Sequence, residues 1–230
     1  LSAPSSLTHK INYATANGPS IVIPGVGTFP DPNSAYAGTD YTTKTGTLTF
    51  SPGQTSKTVT VSTTSDSLYE YNKIFYMYLN TATAGATISD SSGTGTITNN
   101  DTAPRFAIND KTVTEGGTLT FTVSTPYASS FSHNVNYATA NGSAAAGSDY
   151  TAKSGTLVLP AGQTSKTISV STIQDSAIES NETLYVNLSS ATNSATINDS
   201  QGKGTINNDD TTTVITARNS GGTLQSPYTQ

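Results

Sequence analysis

Residues 149–182, DYTAKSGTLVLPAGQTSKTISVSTIQDSAIESNE, recur as residues 40–73, DYTTKTGTLTFSPGQTSKTVTVSTTSDSLYEYNK. The offset is 109 at both ends, since 149 − 40 = 109 and 182 − 73 = 109. A chain of 230 residues that repeats itself at this distance is two copies of one unit. Each copy is then of ordinary domain size, large enough for one modest core.

A second match has a different offset. Residues 1–18, LSAPSSLTHKINYATANG, align with 125–142, TPYASSFSHNVNYATANG, at 124. The first unit therefore carries an insertion of 124 − 109 = 15 residues within PSIVIPGVGTFPDPNSAY, residues 19–36. Its prolines and glycines break regular structure, yet Ile21, Val22, Ile23, Val26 and Phe29 are apolar. It reads either as a long loop folded back on its own domain or as a contact surface for another subunit.

Within each unit the apolar positions alternate with Thr and Ser. In the first copy Leu48 and Phe50, Val59 and Val61, and Phe75, Met77 and Leu79 are two apart. Period-2 runs over NYAT, GTLTF, KTVTVST and IFYMYLN, broken by Gly, Pro, Asn and Asp, predict strands, with a tight turn at Asn17-Gly18. No helical period is present. Only 11% of residues are charged, and β-branched Thr is abundant, which suits half-buried strands rather than a disordered acidic chain. The predicted fold is all-β: two tandem immunoglobulin-like β-sandwiches.

The net charge of −5 argues against nucleic acid and anionic membrane as partners, because both demand basic patches. No apolar run is long enough to span a membrane as a helix. The absence of Cys removes disulfides and thiolate metal sites, and fits a secreted protein that needs no oxidative folding. The chain starts at Leu1, the expectation being a removed signal peptide or a fragment.

The repeat is unequal at its ends. Residues 106–124, FAINDKTVTEGGTLTFTVS, predict two strands around Glu115-Gly116-Gly117, and the first unit has no counterpart to them. Conversely residues 211–230, TTTVITARNSGGTLQSPYTQ, follow the second unit's terminal NNDD and are surplus to it. ITARNSGGTL at 215–224 resembles DKTVTEGGTL at 110–119, Leu224 matches Leu119, and Val214 and Ile215 suit the apolar places of Phe106 and Ile108. The expected division is an incomplete sandwich at 1–101, a complete one at 102–210 and a strand-like tail at 211–230.

NYATANG, GSDY, SGTL, PAGQTSKT, QDSAIESNETLYVNLS and GTINNDD, in this order, resemble the Calx-β domain. That family occurs in sodium–calcium exchangers, integrin β4 and bacterial surface proteins, and the likeness here is to secreted bacterial repeats. It implies the same immunoglobulin-like sandwich. It also implies a calcium site at one end of the second domain, carried by Glu115, Asp149, Asp175, Glu179, Glu182, Asp209 and Asp210. Calcium takes six to eight hard oxygens, which carboxylates from several loops supply. The departures are Gln174, Ser176 and Asn208, which stand where the family's acidic run is denser. The alternative role of Asp149 and Asp175 is to accept backbone amides in turns. The first domain keeps Asp40, Asp66, Glu70 and Asp101, but Lys73 replaces Glu182 and opposes a divalent cation.

Other candidates are weaker. His9 and His133 are equivalent, lie in different units and read as surface strand positions. No nucleophile elbow, zinc set or glycosidase pair stands out, and the lack of Trp counts against a sugar-stacking site. The chain is expected not to be an enzyme. Tyr71, Tyr76 and Tyr78 replace Ser180, Tyr185 and Asn187, and Tyr76 and Tyr78 should point outward. They read as cross-strand packing or as a face covered by a neighbour.

A sandwich lacking edge strands exposes unpaired backbone and apolar core. Two stacked domains separate the tail from the first domain by about 70 Å, roughly the whole reach of 20 extended residues. Donation of the tail to a second copy is thereby favoured, and a head-to-tail contact that does not close gives a fibre. The expectation is a structural subunit of an extracellular bacterial filament or matrix fibre, a homopolymer joined through Val214, Ile215 and Leu224, with Ile21, Ile23, Phe29, Tyr71, Tyr76 and Tyr78 as further contacts. The alternative is a calcium-binding, adhesive repeat of a larger cell-surface protein.

Overall fold

The computed structural model describes residues 1–211. The described residues form strands and loops with no α-helix, so none is long and apolar enough to cross a membrane.

The second sandwich is complete. Its strands are β7 (Arg105–Ile108), β8 (Lys111–Thr114), β9 (Thr118–Ser124), β10 (His133–Asn141), β11 (Ser154–Leu159), β12 (Ser165–Ser171), β13 (Glu182–Ser189), β14 (Thr196–Ile197) and β15 (Gln201–Asn207). One sheet has the order β11-β10-β13-β15-β8 and the other β12-β9-β7-β14. Alternation along each strand sends one set of side chains into the space between the sheets. Leu119, Phe121 and Val123 of β9 meet Leu184, Val186 and Leu188 of β13 in a single buried cluster.

The first domain comprises β1 (His9–Ala16), β2 (Ser20–Ile23), β3 (Gly27–Pro30), β4 (Thr45–Phe50), β5 (Lys73–Asn80) and β6 (Ser92–Ile97). Its main sheet, β4-β1-β5-β6, repeats β11-β10-β13-β15 with the same register: Tyr13 lies opposite Gly46 as Tyr137 lies opposite Gly155. Among the described residues no facing sheet is formed. Residues 54–62 contain no strand, although KTVTVST was expected to be one. Its counterpart β12 pairs with β9 along its whole length, and the described part of the first domain holds no equivalent of β9. A β-prone sequence without a partner ladder stays irregular. The buried cluster shrinks to Ala35, Tyr41 and Phe75, with Tyr41 and Phe75 stacked at 4.7 Å and Phe50 buried apart from it.

Three further expectations are corrected. The FAINDKTVTEGGTLTFTVS segment makes three strands, because Asn109 and Asp110 divide it: their side chains cap Thr122 N and Lys203 N. Asn17-Gly18 is no hairpin turn. Asn17 Oδ1 accepts from Ala37 N and Tyr41 OH, and a Cβ on Gly18 would lie 2.0 Å from Ile74 O, so the glycine permits a close approach. The histidines are not on the surface: His133 is 1% exposed and His9 9%. Both occupy inward-facing strand positions, and His133 Nδ1 lies 3.0 Å from Thr192 O.

The insertion forms a hairpin, β2-β3, in which Ile21 faces Phe29, and all its strand residues are exposed. Ile21, Ile23 and Phe29 thus form an apolar protrusion rather than a loop packed on its domain. Tyr76 and Tyr78 lie side by side at 5.9 Å on β5.

The domains meet through the loop before β5 and the loop before β10. Tyr69 N donates to Ala128 O at 3.0 Å, and Ser130 N donates to Tyr69 O at 2.9 Å. The Phe131 ring packs edge-on to Tyr69 at 5.8 Å and against Tyr71 at 4.3 Å.

Candidate metal centre

At the end of the second sandwich farthest along the chain, four loops converge. Glu115 follows β8, held by its N–H on Asn207 O at 3.0 Å. Gly116 turns the chain there with φ +73°, a left-handed conformation that suits glycine. Asp149 lies before β11, Asp175 and Glu179 lie before β13, and Glu182 is the first residue of β13. Asp209 and Asp210 follow β15.

The carboxylates gather into two triads. Oxygens of Glu115, Asp175 and Asp210 lie within 4.8 Å of one another, and so do those of Asp149, Glu179 and Glu182. Residues of both triads line one small cavity with Asn208 and Ser180. Two ligand candidates also serve the turns: Asp149 Oδ2 accepts from Ala145 N at 2.6 Å, and Asp175 Oδ1 from Ala177 N at 2.7 Å. The structural and the ligating readings of these residues are therefore compatible, each carboxylate having a second oxygen. Asp209 is in neither triad but touches Glu115. Its N–H donates to Glu115 Oε1 and its Oδ1 accepts from Gln174 Nε2 at 3.1 Å.

Crowded anions resist ionisation. The Glu182 carboxyl is pushed up from 4.5 to about 7, first by burial, then by its hydrogen bond and charge repulsion with Asp149 and by the charges of Glu179 and Asp175. Glu115 is raised too, by burial above all; the Asp209 N–H opposes this, while Asp209 and Asp210 side chains add to it. Asp210 Oδ2 is buried with no hydrogen-bond partner among the described residues. A cation among such carboxylates would relieve their mutual repulsion.

The first domain shows such a group in place. Asp40, Glu70 and Lys73 are the counterparts of Asp149, Glu179 and Glu182. The Lys73 ammonium lies 2.8 Å from Asp40 Oδ1 and 2.7 Å from Glu70 Oε1. Burial alone would lower the lysine pKa; the hydrogen bonds to Asp40 and Glu70 outweigh it, and the net shift is upward. Lys73 thus supplies the cation itself, with two of the same carboxylates around it. The repeat located Lys73 in the sequence, but the two ion pairs depend on loop geometry that carries no sequence pattern. The role of Gln174 was likewise missed: it appeared only as a gap in an acidic run. Tyr71 sits in the domain junction, and Val214, Ile215 and Leu224 lie outside the described residues.

Two tandem sandwiches, the second with an acidic end built from four loops, define a class of repeat module. The sequence profile of the Calx-beta domain matches residues 28–103 and 99–218, and the chain belongs to that family as a tandem pair. Among solved structures it is similar to the apo-form Calx CBD1 domain, at 22% identity over 47% of this chain and 100% of that one, with a TM-score of 0.45. It is similar to CBD12 from CALX1.2 at 19% identity, covering 87% of this chain and 88% of that one, TM-score 0.44. The Calx CBD2 domain matches at 16% identity over 44% of this chain and 84% of that one, TM-score 0.40. Comparison with curated proteins gave no match.

Proposed function

We propose that the chain is a calcium-binding structural module in which the second domain carries the ion and the first does not. The observation that carries this reading is the convergence of Glu115 and Asp175 with Asp149, Glu179 and Glu182 on one cavity, Asp210 completing the first triad beside it. Their donor set is all oxygen, which suits calcium rather than a thiolate- or imidazole-seeking metal. The ammonium between Asp40 and Glu70 supports the fit, since a cation already stands at the corresponding place. Calcium would neutralise the crowded carboxylates and tie the four loops together. The chain's own residues give the loops their shape through the turns at Asp149 and Asp175. Calorimetric titration of the full chain with calcium tests this: binding lost in Asp175→Asn and Glu182→Gln supports it, and no heat with the intact chain overturns it.

A second reading rests on a different observation. Residues 54–62 have no partner strand among the described residues, and beside them a cavity of about 850 Å³ is lined by Ile11, Leu48, Phe50, Val59, Leu79 and Ile88. An open half-sandwich of this kind favours strand addition from another chain. On this reading the protein is a non-enzymatic subunit of an extracellular bacterial filament or matrix fibre. The division at 101/102 and 210/211 then separates acceptor domain, calcium domain and donor tail. Electron microscopy of the intact protein tests it: fibres that vanish when 211–230 are removed support it, and a monodisperse monomer overturns it.

A further inference from the structure

The contact between the two domains uses two groups, each of which occurs once in either domain and so twice in the chain. Residues 128–131 have counterparts at 4–7, and residues 66–71 have counterparts at 175–180. The local geometry is kept at both. Gly162 N donates to Ser129 O at 2.8 Å, and Gly53 N donates to Ser5 O at 2.9 Å. Phe131 N donates to Ser129 Oγ at 3.1 Å, and Leu7 N donates to Ser5 Oγ at 3.1 Å. On the other side Leu68 N caps on Asp66 at 2.8 Å as Ala177 N caps on Asp175 at 2.7 Å. The 4–7 segment of the first domain thus has the shape of the 128–131 segment already used in the junction, and the 175–180 segment of the second has that of its partner, 66–71.

The side chains agree. Tyr69 and Phe131 meet at the internal junction. Their counterparts, Ile178 and Leu7, are 58% and 56% exposed and are apolar. Among the described residues the N–H of Ile178 and of Ser6 have no hydrogen-bond partner, whereas those of their counterparts Tyr69 and Ser130 are bonded across the junction. Pro4 stands for Ala128, whose contribution is only its carbonyl, so proline is compatible there.

We infer that a second copy of this chain docks on the first by repeating the internal domain junction, Ile178 of one copy against Leu7 of the next. This rests on the filament reading and fixes its geometry. It also sets the register of the tail. Inside the chain, Asp101 is followed by three residues and then by β7, whose Phe106 fills the core and pairs with Ile197. By the same offset Asp210 is followed by Thr211–Thr213, and Val214 and Ile215 take the places of Arg105 and Phe106. Ile215 of one copy then enters the cavity of the next beside Ile88, the counterpart of Ile197. There the N–H groups of Thr87 and Ser89 have no partner among the described residues, while those of Thr196 and Asn198 bond Pro104 O and Phe106 O. On this register Ile215 corresponds in sequence to Phe106 and Val214 to Arg105.

The chain has no cysteine, so paired cysteines report the contact cleanly. Full-length Leu7→Cys/Ile178→Cys and Ile88→Cys/Ile215→Cys are oxidised and run without reductant. Both variants are expected to give a ladder of covalent multimers, lost in each single-cysteine control beyond the dimer. Fibres of the intact protein without a Leu7–Ile178 ladder would overturn this geometry and leave the filament reading standing. A Leu7–Ile178 ladder with only monomer from Ile88–Ile215 would overturn the tail register. Monomer in both variants and no fibres of the intact protein would overturn the inference together with the reading it rests on.

Discussion

Lys73 shows how one residue decides the chemistry of a repeated loop. Its ammonium touches Asp40 and Glu70, and Asp40 is 5% exposed, so Lys73→Ala leaves a buried carboxylate uncompensated. Exposed pairs contribute below about 1 kcal/mol and breaking a buried one costs about 3–5, so this partly buried pair should cost about 2 kcal/mol, read by denaturant unfolding. The opposite case is Glu182. Its folded-state pKa of about 7 lies above its ordinary 4.5, so without calcium the folded domain holds more protons than the unfolded chain between those values. Stability of the calcium-free second domain should therefore fall as pH rises from about 4.5 to 7, and Glu182→Gln should flatten the profile, as thermal melts across pH will show. Calcium binding near pH 6 should release protons, and the calorimetric heat should depend on buffer ionisation. The family motif named the acidic residues, because carboxylates in loops after period-2 strands stand out. It did not reveal that Asp209, outside both triads, bonds Gln174 as well as Glu115.

Segments with a clean period-2 pattern were legible as strands where a partner strand exists. GTLTF and IFYMYLN alternate and have neighbours, so β4 and β5 form as predicted. KTVTVST alternates equally well and forms no strand, because strand formation belongs to the pair and not to the segment. The hairpin β2-β3 was hidden by its prolines and glycines, which close its ends instead of preventing pairing. Since its strand residues bury little, replacing 20–30 by the short link of the second domain should leave the melting temperature nearly unchanged in calorimetry. Gly142 is the reverse. A Cβ there would sit 2.4 Å from Thr183 O, so Gly142→Ala should cost about 1–3 kcal/mol by equilibrium unfolding.

For the whole molecule, the repeat predicted two sandwiches and the unequal ends predicted that they would differ, but the junction was beyond sequence reasoning. Tyr69, Tyr71 and Phe131 lie in loops with no periodic signal, and only folding brings them together. The cores differ: a continuous cluster from Phe106 to Ile206 in one domain, and Ala35, Tyr41 and Phe75 in the other. Scanning calorimetry of the full chain should therefore resolve two transitions, with the first domain melting earlier and calcium raising only the later one. The tethered ammonium at Lys73 has a consequence for materials made of this chain. The loop that meets the second domain inside each copy is tied to its own domain by an ammonium that cannot be washed out, whereas the equivalent loop at any joint between copies would be tied by a cation that can be removed. A chelator would then sever such a fibre at every second joint, leaving fragments whose shortest length is one intact chain and never a single domain.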